Sequence, residues 1–234
     1  MPAAVTDASG KPAGPEPGGP ARRSALAVVQ RTLAGAFLSR ALSDELAGGD
    51  LSGQDRSLVT ELSYGTMRHL QAIDERLAPF LQDPSKLPSE VLGALRLGTF
   101  ELAFRGTPAY AAVDAWVEVS KSASVKHAKL VNAVLRRVAS AASGSTVDAD
   151  AFTPERDLSL PAWLFDMFVE SLGRDATVLA ARGMLQAEPL WLTALGPRAE
   201  ESLIAQGAEV REGPSLPVPT EMTMPEWPRS ISVR

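Results

Sequence analysis

The sequence predicts a mainly α protein, in which an all-helical bundle is followed by a short helical linker and a small, incomplete α/β unit. Apolar residues recur every three or four positions from residue 21 to about 142, and a strand-like period begins only at Leu190. With 234 residues, of which 45% are hydrophobic, the chain is long enough for one or two domains with a real core.

The helical bundle is expected over residues 21–142. It follows a Pro/Gly-rich segment, residues 1–20, that we expect to be a disordered tail because it offers almost nothing to bury. The first helix is predicted to end near Gly48. Its apolar face is formed by Leu26, Val29, Leu33 and Phe37.

Four further segments of the bundle are delimited by capping and breaking residues. Ser52 to Asp55 resembles a capping box and opens a helical stretch in which a break could fall at Gly65. Pro88 suits the first turn of the next helix, which Gly106 to Pro108 interrupt. Helices from about Tyr110 and from about 125 to 139 complete a bundle of four or five helices.

The second half of the chain is predicted to change character. Residues 143–187 form a linker and two helices, which we expect at 161–172 and 175–187. Residues 188–234 are predicted to form a β-α-β segment that ends without a closing element. Its expected elements are strands at 190–195 and 208–211 and a helix at 197–206.

Charge is distributed unevenly along the chain, although its net value is −5. Residues 21–140 carry a net charge of +3, whereas residues 141–234 carry −7. The stretch from Lys121 to Val147 contains no acidic residue. A basic first half joined to an acidic second half is compatible with a polyanionic partner for the bundle.

The last helix of the bundle is predicted to be amphipathic, with cations opposite its apolar side. At 100° per residue, Lys126, Lys129, Arg136 and Arg137 gather on one face. Cations at this spacing suit the phosphates of a polyanion, because each neutralised phosphate releases counterions. The alternative is an exposed helix face that these residues merely solvate. Arginines nearer the start of the chain could extend the surface: Arg22, Arg23, Arg31, Arg56 and Arg68.

No catalytic, metal-ligating or cofactor-binding site is expected in this chain. The absence of cysteine excludes disulfides, zinc–thiolate sites and a thiol nucleophile. His69 and His127 have no second ligand at suitable spacing, so we interpret them as packing or capping residues. The carboxylate pairs lie among polar neighbours, and neither GxSxG nor a phosphate-binding glycine loop is present. The four tryptophans suit core anchors better than a base-stacking surface.

The sequence also indicates where the protein works. No segment approaches 18 uninterrupted apolar residues, so no membrane span and no membrane partner is expected. Residues 1–20 lack the apolar core of a secretory signal, which makes the cytoplasm the predicted compartment.

The bundle contains four motifs, DRSLVTELSYGTMR (residues 55–68), LRLGTFEL (95–102), PAYAAVD (108–114) and KLVNAVLRR (129–137). Together they resemble motifs of the RNA cytosine-5 methyltransferases of the RsmB (Sun or Fmu) type. In that family such motifs belong to an N-terminal all-α domain similar to the antitermination factor NusB. A small α/β segment and an S-adenosylmethionine-binding catalytic domain follow. The resemblance covers residues 21–140 well, and 155–212 only by the order of elements.

The resemblance implies an RNA partner, which in this family is small-subunit rRNA, and a catalytic half that this chain lacks. Two positions depart from the family pattern: Asp114 replaces the usual Asn, and Ala194 to Gly196 replace an Arg-x-Asn sequence. Methylation at C5 of a pyrimidine needs a thiolate nucleophile, which a chain without cysteine cannot supply. S-adenosylmethionine is therefore expected only for the missing catalytic domain, and this chain is expected to position RNA.

Two alternatives remain open at the level of sequence. The chain could be a free-standing NusB-like antitermination factor that binds RNA and a ribosomal or transcription protein. It could also be a protein-interaction module in which the basic residues are incidental. The β-α-β segment favours the methyltransferase resemblance, because a NusB-like factor ends after the bundle.

Overall fold

The structure is a computed structural model. It describes residues 18–48, 50–121, 125–143, 152–186, 190–193, 197–205, 209–210 and 230–233. The predicted disordered tail lies almost entirely outside these residues. The described residues fall into two compact units, one up to Leu185 and one from Gln186. The mainly α prediction is confirmed, whereas the predicted domain boundaries stay predictions. None of the described helices is long and apolar enough to cross a bilayer.

The predicted first helix is two helices, α1 (Gly19–Leu33) and α2 (Leu38–Gly48). The chain turns between them at Gly35, whose φ of 106° lies in the left-handed region that glycine tolerates best. Phe37 follows this turn and is 84% exposed, so its predicted place in the core is wrong. The three- and four-residue spacing of apolar residues continues across this turn, although the helix does not.

Helices α3 (Gly53–Arg68) and α4 (Leu70–Leu77) meet at His69 and not at Gly65. Ser52 is the N-cap of α3, since its hydroxyl accepts a hydrogen bond from the Asp55 backbone N–H at 3.1 Å. Gly65 allows close packing: a Cβ there would lie 2.0 Å from Cζ of Phe100. Glycine at this position therefore marks helix contact and not a helix break.

Helix α5 (Ser89–Phe100) crosses the centre of the bundle, packing against α1, α3, α4, α6 (Ala109–Lys121) and α7 (Val125–Ser143). It continues into a π-helical turn, Glu101–Arg105, which ends at Gly106 as predicted. Short 3₁₀ turns, Ala78–Phe80 and Pro84–Lys86, connect α4 to α5. The largest buried side chains of the core include Trp116, Leu62, Ile73, Leu95 and Leu135. Burial of this apolar surface is the main source of the stability of the bundle.

Three helices after the bundle form a second, smaller core in the same unit. They are α8 (Pro154–Leu158), which was not predicted, α9 (Ala162–Leu172) and α10 (Arg174–Met184). Leu158, Phe165 and Ala181 are buried in this core. Helix α8 packs against α4, and the Ala72 backbone N–H donates to the Ser159 hydroxyl at 3.4 Å. Most of the predicted linker, residues 144–151, lies outside the described residues.

The second unit contains β1 (Leu190–Thr193), α11 (Pro197–Ala205), β2 (Glu209–Val210) and β3 (Ser230–Val233). The predicted strand–helix–strand order is present, but the expectation that no element closes it is wrong. Strand β3 lies between β1 and β2 and pairs antiparallel with both, so that Ile231 faces Leu192 on one side and Val210 on the other. This pairing was not predicted from the sequence, because residues 213–228 are interrupted by prolines and show no strand pattern.

Candidate nucleic-acid interface

The outer face of α7 carries a row of cations, which we call the basic ridge: Lys126, Lys129, Arg136 and Arg137. All four residues are exposed. The opposite face of the helix is buried, with Val131, Val134 and Leu135 each at most 2% exposed. The predicted division of α7 into a packing face and a cationic face is therefore present in the structure. Whether the cationic face binds RNA stays a prediction.

The basic ridge stands on a well-anchored helix. Helix α7 packs against α4, α5, α6 and the π-helical turn. On its outer side the Arg136 Nε donates to Oδ1 of Asn132 at 3.0 Å, which holds the guanidinium along the helix. Lys126 and Arg137 are eleven positions apart, so the ridge extends about 16 Å along the helix axis. The helix that carries the cations is already ordered, so binding would cost mainly the ordering of their side chains.

Arg22 does not belong to this surface, contrary to prediction. Its side chain is 8% exposed and forms a two-pronged ion pair with Glu101, from Nε to Oε2 at 2.8 Å and from Nη2 to Oε1 at 2.9 Å. Since the guanidinium is committed to this buried carboxylate, it cannot also neutralise a phosphate on the surface. Arg22 joins α1 to the end of α5 and has a structural role.

Glu101 is the centre of this buried polar cluster and is itself 0% exposed. Besides Arg22, it accepts hydrogen bonds from Nε1 of Trp116 at 2.7 Å and from the Thr107 hydroxyl at 3.3 Å. Arg105 lies 3.7 Å away and also pairs with Glu61 at 3.0 Å. The carboxylate is thus hydrogen-bonded by several donors, as a buried charge must be.

The other predicted arginines lie on helices that pack separately from α7. Arg23 is exposed on α1, and Arg68 is half-buried at the end of α3. The exposed Arg56 donates from Nη1 to the Leu46 carbonyl at 2.8 Å, and Arg31 pairs with Asp44 at 2.9 Å. Helices α1, α2 and α3 pack against one another, with α5 between them and α7. The structure therefore supports the α7 part of the predicted surface more strongly than its extension.

The predicted packing role of His69 is confirmed. Its ring stacks on Phe104, with 4.2 Å between ring centroids, and lies 6.0 Å from Phe100. Burial, reinforced by the positive charges of Arg68 and Arg76, lowers the pKa of His69 to about 4. The imidazole is therefore neutral at physiological pH.

His127 is half-buried on α7. Among the side chains that the structure describes, no group of three or more histidines and carboxylates could hold a metal ion.

Trp116 is a core anchor as predicted, with 0% exposure, but Trp163 on α9 is 67% exposed. The predicted core role of Trp163 is therefore wrong. The side chains of the other two tryptophans lie outside the described residues. The described strands of the second unit all pair antiparallel with β3 and do not form the doubly wound parallel sheet that takes a nucleotide-like cofactor. The expectation that S-adenosylmethionine belongs to a separate catalytic domain stays a prediction.

Comparison with known proteins identifies the bundle. Residues 20–140 match the NusB family. The chain belongs to the NusB family. The transcription antitermination protein NusB of Alcanivorax borkumensis is 35% identical over 123 residues, which are 51% of this chain and 82% of that protein. The NusB match thus accounts for the helical bundle that carries the basic ridge.

A second group of relatives extends beyond the NusB region. The ribosomal RNA small subunit methyltransferase B of Thermus thermophilus is 33% identical over 213 residues, covering 91% of this chain and 50% of that protein. A probable ribosomal RNA small subunit methyltransferase B of Bacillus subtilis is 28% identical over 76% of this chain and 42% of that protein. The chain therefore spans about half the length of these relatives or less.

Solved structures support the same fold. A structure described as a plectonemic RNA supercoil contains a chain with a TM-score of 0.51 and 25% identity, aligned over 55% of this chain and 97% of that chain. PH0851 aligns over 92% of this chain and 48% of its own, with a TM-score of 0.59 at 14% identity. At that identity the likeness concerns the fold alone, and it includes segments that follow the NusB region.

Two features near these sites were not predicted from the sequence. Glu101 is the only carboxylate in the apolar run of residues 97–104, and this isolation could have indicated a buried partner. The segment from Phe80 to Leu87 carries no motif that singles it out in the sequence. In the structure it lines a groove beside Arg137. No periodic pattern in a connecting segment could have placed it there.

Proposed function

We propose that this chain is an RNA-binding, substrate-positioning module of a 16S-type rRNA cytosine-5 methyltransferase. The observation that carries the proposal is the basic ridge, which lies exposed on a helix whose opposite face is buried in the NusB-like bundle. The similarity to small subunit methyltransferase B over 91% of the chain suggests the RNA that the ridge would meet. In this proposal the target is small-subunit rRNA.

The physical basis of the proposed binding is release of counterions from the phosphate backbone. Each ridge cation that neutralises a phosphate adds favourable entropy, so affinity falls as salt concentration rises. Arg136 and Arg137 can also donate two parallel hydrogen bonds to a phosphate. Contacts of this kind fix the position of an RNA strand without reading its sequence. The choice of target nucleotide would therefore rest mainly on other residues.

Chemistry would be supplied outside these 234 residues. The chain contains no cysteine, and attack on C6 of a pyrimidine, which activates C5, requires a thiolate. The relatives named methyltransferase B are about twice as long as the matched segment. In this proposal the catalytic half binds S-adenosylmethionine, and the NusB-like bundle holds the RNA for it.

A second candidate is an antitermination factor that binds RNA and a ribosomal or transcription protein. It is favoured by the 35% identity to a transcription antitermination protein NusB, of which this chain covers 82%. Helices α8 to α10 argue against it, because they add a second buried core and pack on α4. The match to that NusB protein also covers only half of this chain. We therefore prefer the methyltransferase-related function.

The proposal is tested by reversing charge on the basic ridge. In the triple variant Lys129→Glu, Arg136→Glu and Arg137→Glu, the affinity for a small-subunit rRNA fragment should fall steeply. The slope of log K against log salt concentration should decrease by about 2, since three phosphate contacts are lost. Filter binding or fluorescence anisotropy at several salt concentrations measures both quantities. Circular dichroism would check that the variant remains folded.

A matched control variant distinguishes an effect of the basic ridge from an effect of the net charge of the chain. The variant Arg40→Glu, Arg182→Glu and Arg198→Glu changes the net charge equally, at exposed positions on α2, α10 and α11. It should retain most of the affinity and the wild-type salt slope. Equal losses in both variants would show that the ridge has no special role. Transfer of label from S-adenosylmethionine to rRNA by this chain alone would contradict the assignment of chemistry to a separate half.

A further inference from the structure

An open groove runs beside the basic ridge, between α7 and the segment that connects α4 to α5. Its lining is part apolar and part polar, and Phe80, Leu87 and Leu130 are half-buried along it. We call it the Phe80 groove. Its lining residues at the rim include Gln82, Lys86 and Arg137. It therefore combines a flat aromatic ring and aliphatic side chains with cations at its edge.

The Phe80 groove and the basic ridge share one residue, Arg137. Leu130 and Arg137 are seven residues apart on α7, two helical turns, and both line the groove. Arg137 lies on the exposed face with the other ridge cations, and its guanidinium has no ion-pair partner among the described residues. A strand whose phosphates follow the ridge would thus pass the mouth of the groove.

The charges inside the groove are compatible with an RNA strand. Asp83 is its one carboxylate among the described lining residues, and it is already engaged by the Ser85 hydroxyl at 2.6 Å, the Ser85 backbone N–H at 3.2 Å and Lys86 Nζ at 2.9 Å. These donors hold the pKa of Asp83 below its usual value, so it remains ionised and paired. Arg137 then leaves the mouth of the groove with an unbalanced positive charge.

We propose that the Phe80 groove receives one unstacked nucleobase from an RNA strand whose phosphates lie on the basic ridge. This inference rests on the proposed RNA binding and adds to it a subsite for a base. Every base has an aromatic face that can stack on Phe80 and pack against Leu87 and Leu130, while its polar edge stays in contact with solvent because the groove is open. Arg137 would hold the phosphate next to that base. An apolar side chain of a protein partner would fill the groove but would leave Arg137 without a negatively charged group to pair with.

The inference is tested by combining Phe80→Leu with single-stranded RNA in which one nucleotide at a time is abasic. The substitution keeps an apolar side chain but removes the ring, so affinity for intact RNA should fall roughly 5- to 100-fold. The salt slope should not change, because no phosphate contact is lost. When the base that occupies the groove is the one removed, the abasic RNA should bind the wild-type chain more weakly than intact RNA does, by a similar factor. The Phe80→Leu variant should bind that abasic RNA and intact RNA equally well.

Two controls keep the test specific. Phe80→Tyr retains the ring face and should restore wild-type affinity. Phe37→Leu removes an aromatic ring that is 84% exposed near α2, away from the groove, and should have no effect. Thermal unfolding of each variant should show a folded protein at the temperature of the binding assay.

The outcomes distinguish this inference from the proposed function. If the ridge variant loses RNA affinity while Phe80→Leu binds as the wild type does, the base subsite is wrong and the ridge stands. The base subsite would also be wrong if the loss of affinity caused by Phe80→Leu added to the loss caused by the missing base at every abasic position. This holds even if Phe80→Leu weakens binding to intact RNA. If the wild-type chain does not bind RNA, or binds with a salt slope that the ridge variant leaves unchanged, both proposals fail.

Discussion

Arg22 and Arg137 are arginines of the same helical bundle, and their surroundings differ completely. Arg22 is 8% exposed and bound through two nitrogens to Glu101, a carboxylate without solvent exposure. Arg137 is exposed on α7 at the mouth of the Phe80 groove. The first guanidinium contributes to the fold, and the second is available to a ligand. Both residues are arginines, and the groups around each guanidinium determine whether it stabilises the fold or can bind a ligand.

The difference follows from where each helix places its side chains. Helix α1 is packed against α2, α3, α5 and α6, so one of its arginines falls where Glu101 approaches from the end of α5. Helix α7 has one free face, and its cations gather there at about 100° per residue. A cation on the packed face of a helix is a candidate for a buried ion pair, whereas a row of cations on the exposed face is a candidate for binding.

The strongest way to break this comparison is to remove the charge of Glu101. Glu101→Gln leaves the Arg22 guanidinium buried without a counter-charge and turns an amide N–H₂ toward the donors of Arg22 or Trp116. The free energy of unfolding should fall by about 3–5 kcal/mol, the usual cost of breaking a buried ion pair on one side. Chemical denaturation with urea measures it.

Two companion variants sharpen this result. Arg137→Gln on the exposed face should change stability by less than about 0.5 kcal/mol. In the double variant Arg22→Met and Glu101→Gln, stability should partly recover, since no uncompensated charge remains in the core. If Glu101→Gln costs no more than Arg137→Gln, then Arg22 is not buried as the structure shows.

The α7 half of the comparison could be predicted from sequence, because a helix face is a local property. Four exposed cations and the buried residues opposite them follow from spacing alone. The three- and four-residue periods also predicted most helices of the bundle. Within the second unit, both strands of the strand–helix–strand segment and its helix appeared where expected.

The Arg22 half could not be predicted, because its partner is 79 residues away in the chain. The turn at Gly35, the π-helical turn at Glu101 and the pairing of β3 with β1 depend likewise on contacts between distant segments. Hydrophobic spacing also failed at Phe37 and Trp163, which continue an apolar pattern and yet remain exposed. Periodicity reports which residues share a face and not what covers that face.

The pKa of His69 offers a second test of the comparison, because it measures how strongly burial disfavours a positive charge in this bundle. Its pKa of about 4 in the folded chain is below the ordinary value of 6.5, so the unfolded chain binds a proton first as the pH falls. Stability contributed by neutral His69 is therefore present above pH 6.5 and is lost between about pH 6.5 and pH 4. The loss should be on the order of 1–2 kcal/mol, since the partly exposed ring is screened by solvent.

The variant His69→Phe isolates this effect, because a phenyl ring can keep the stacking on Phe104 but cannot take up a proton. Its free energy of unfolding should vary less than that of the wild type between pH 6.5 and pH 4. A ¹H NMR titration of the wild-type chain should show the His69 ring protonating near pH 4. A midpoint near 6.5 would mean that the ring is not buried against Phe104.

The smallest expected effect compares two exposed arginines, Arg23 on α1 and Arg137 on α7. Both can be replaced by Gln without disturbing the core, since both side chains lie on the surface. Arg137→Gln should reduce the salt slope of RNA binding by about 0.7, the value for one phosphate contact on a single strand. Arg23→Gln should leave the slope unchanged, because Arg23 lies on α1 and is not part of the basic ridge. Equal reductions in both variants would show that RNA extends over α1, as the sequence first suggested, and that the interface is wider than the basic ridge.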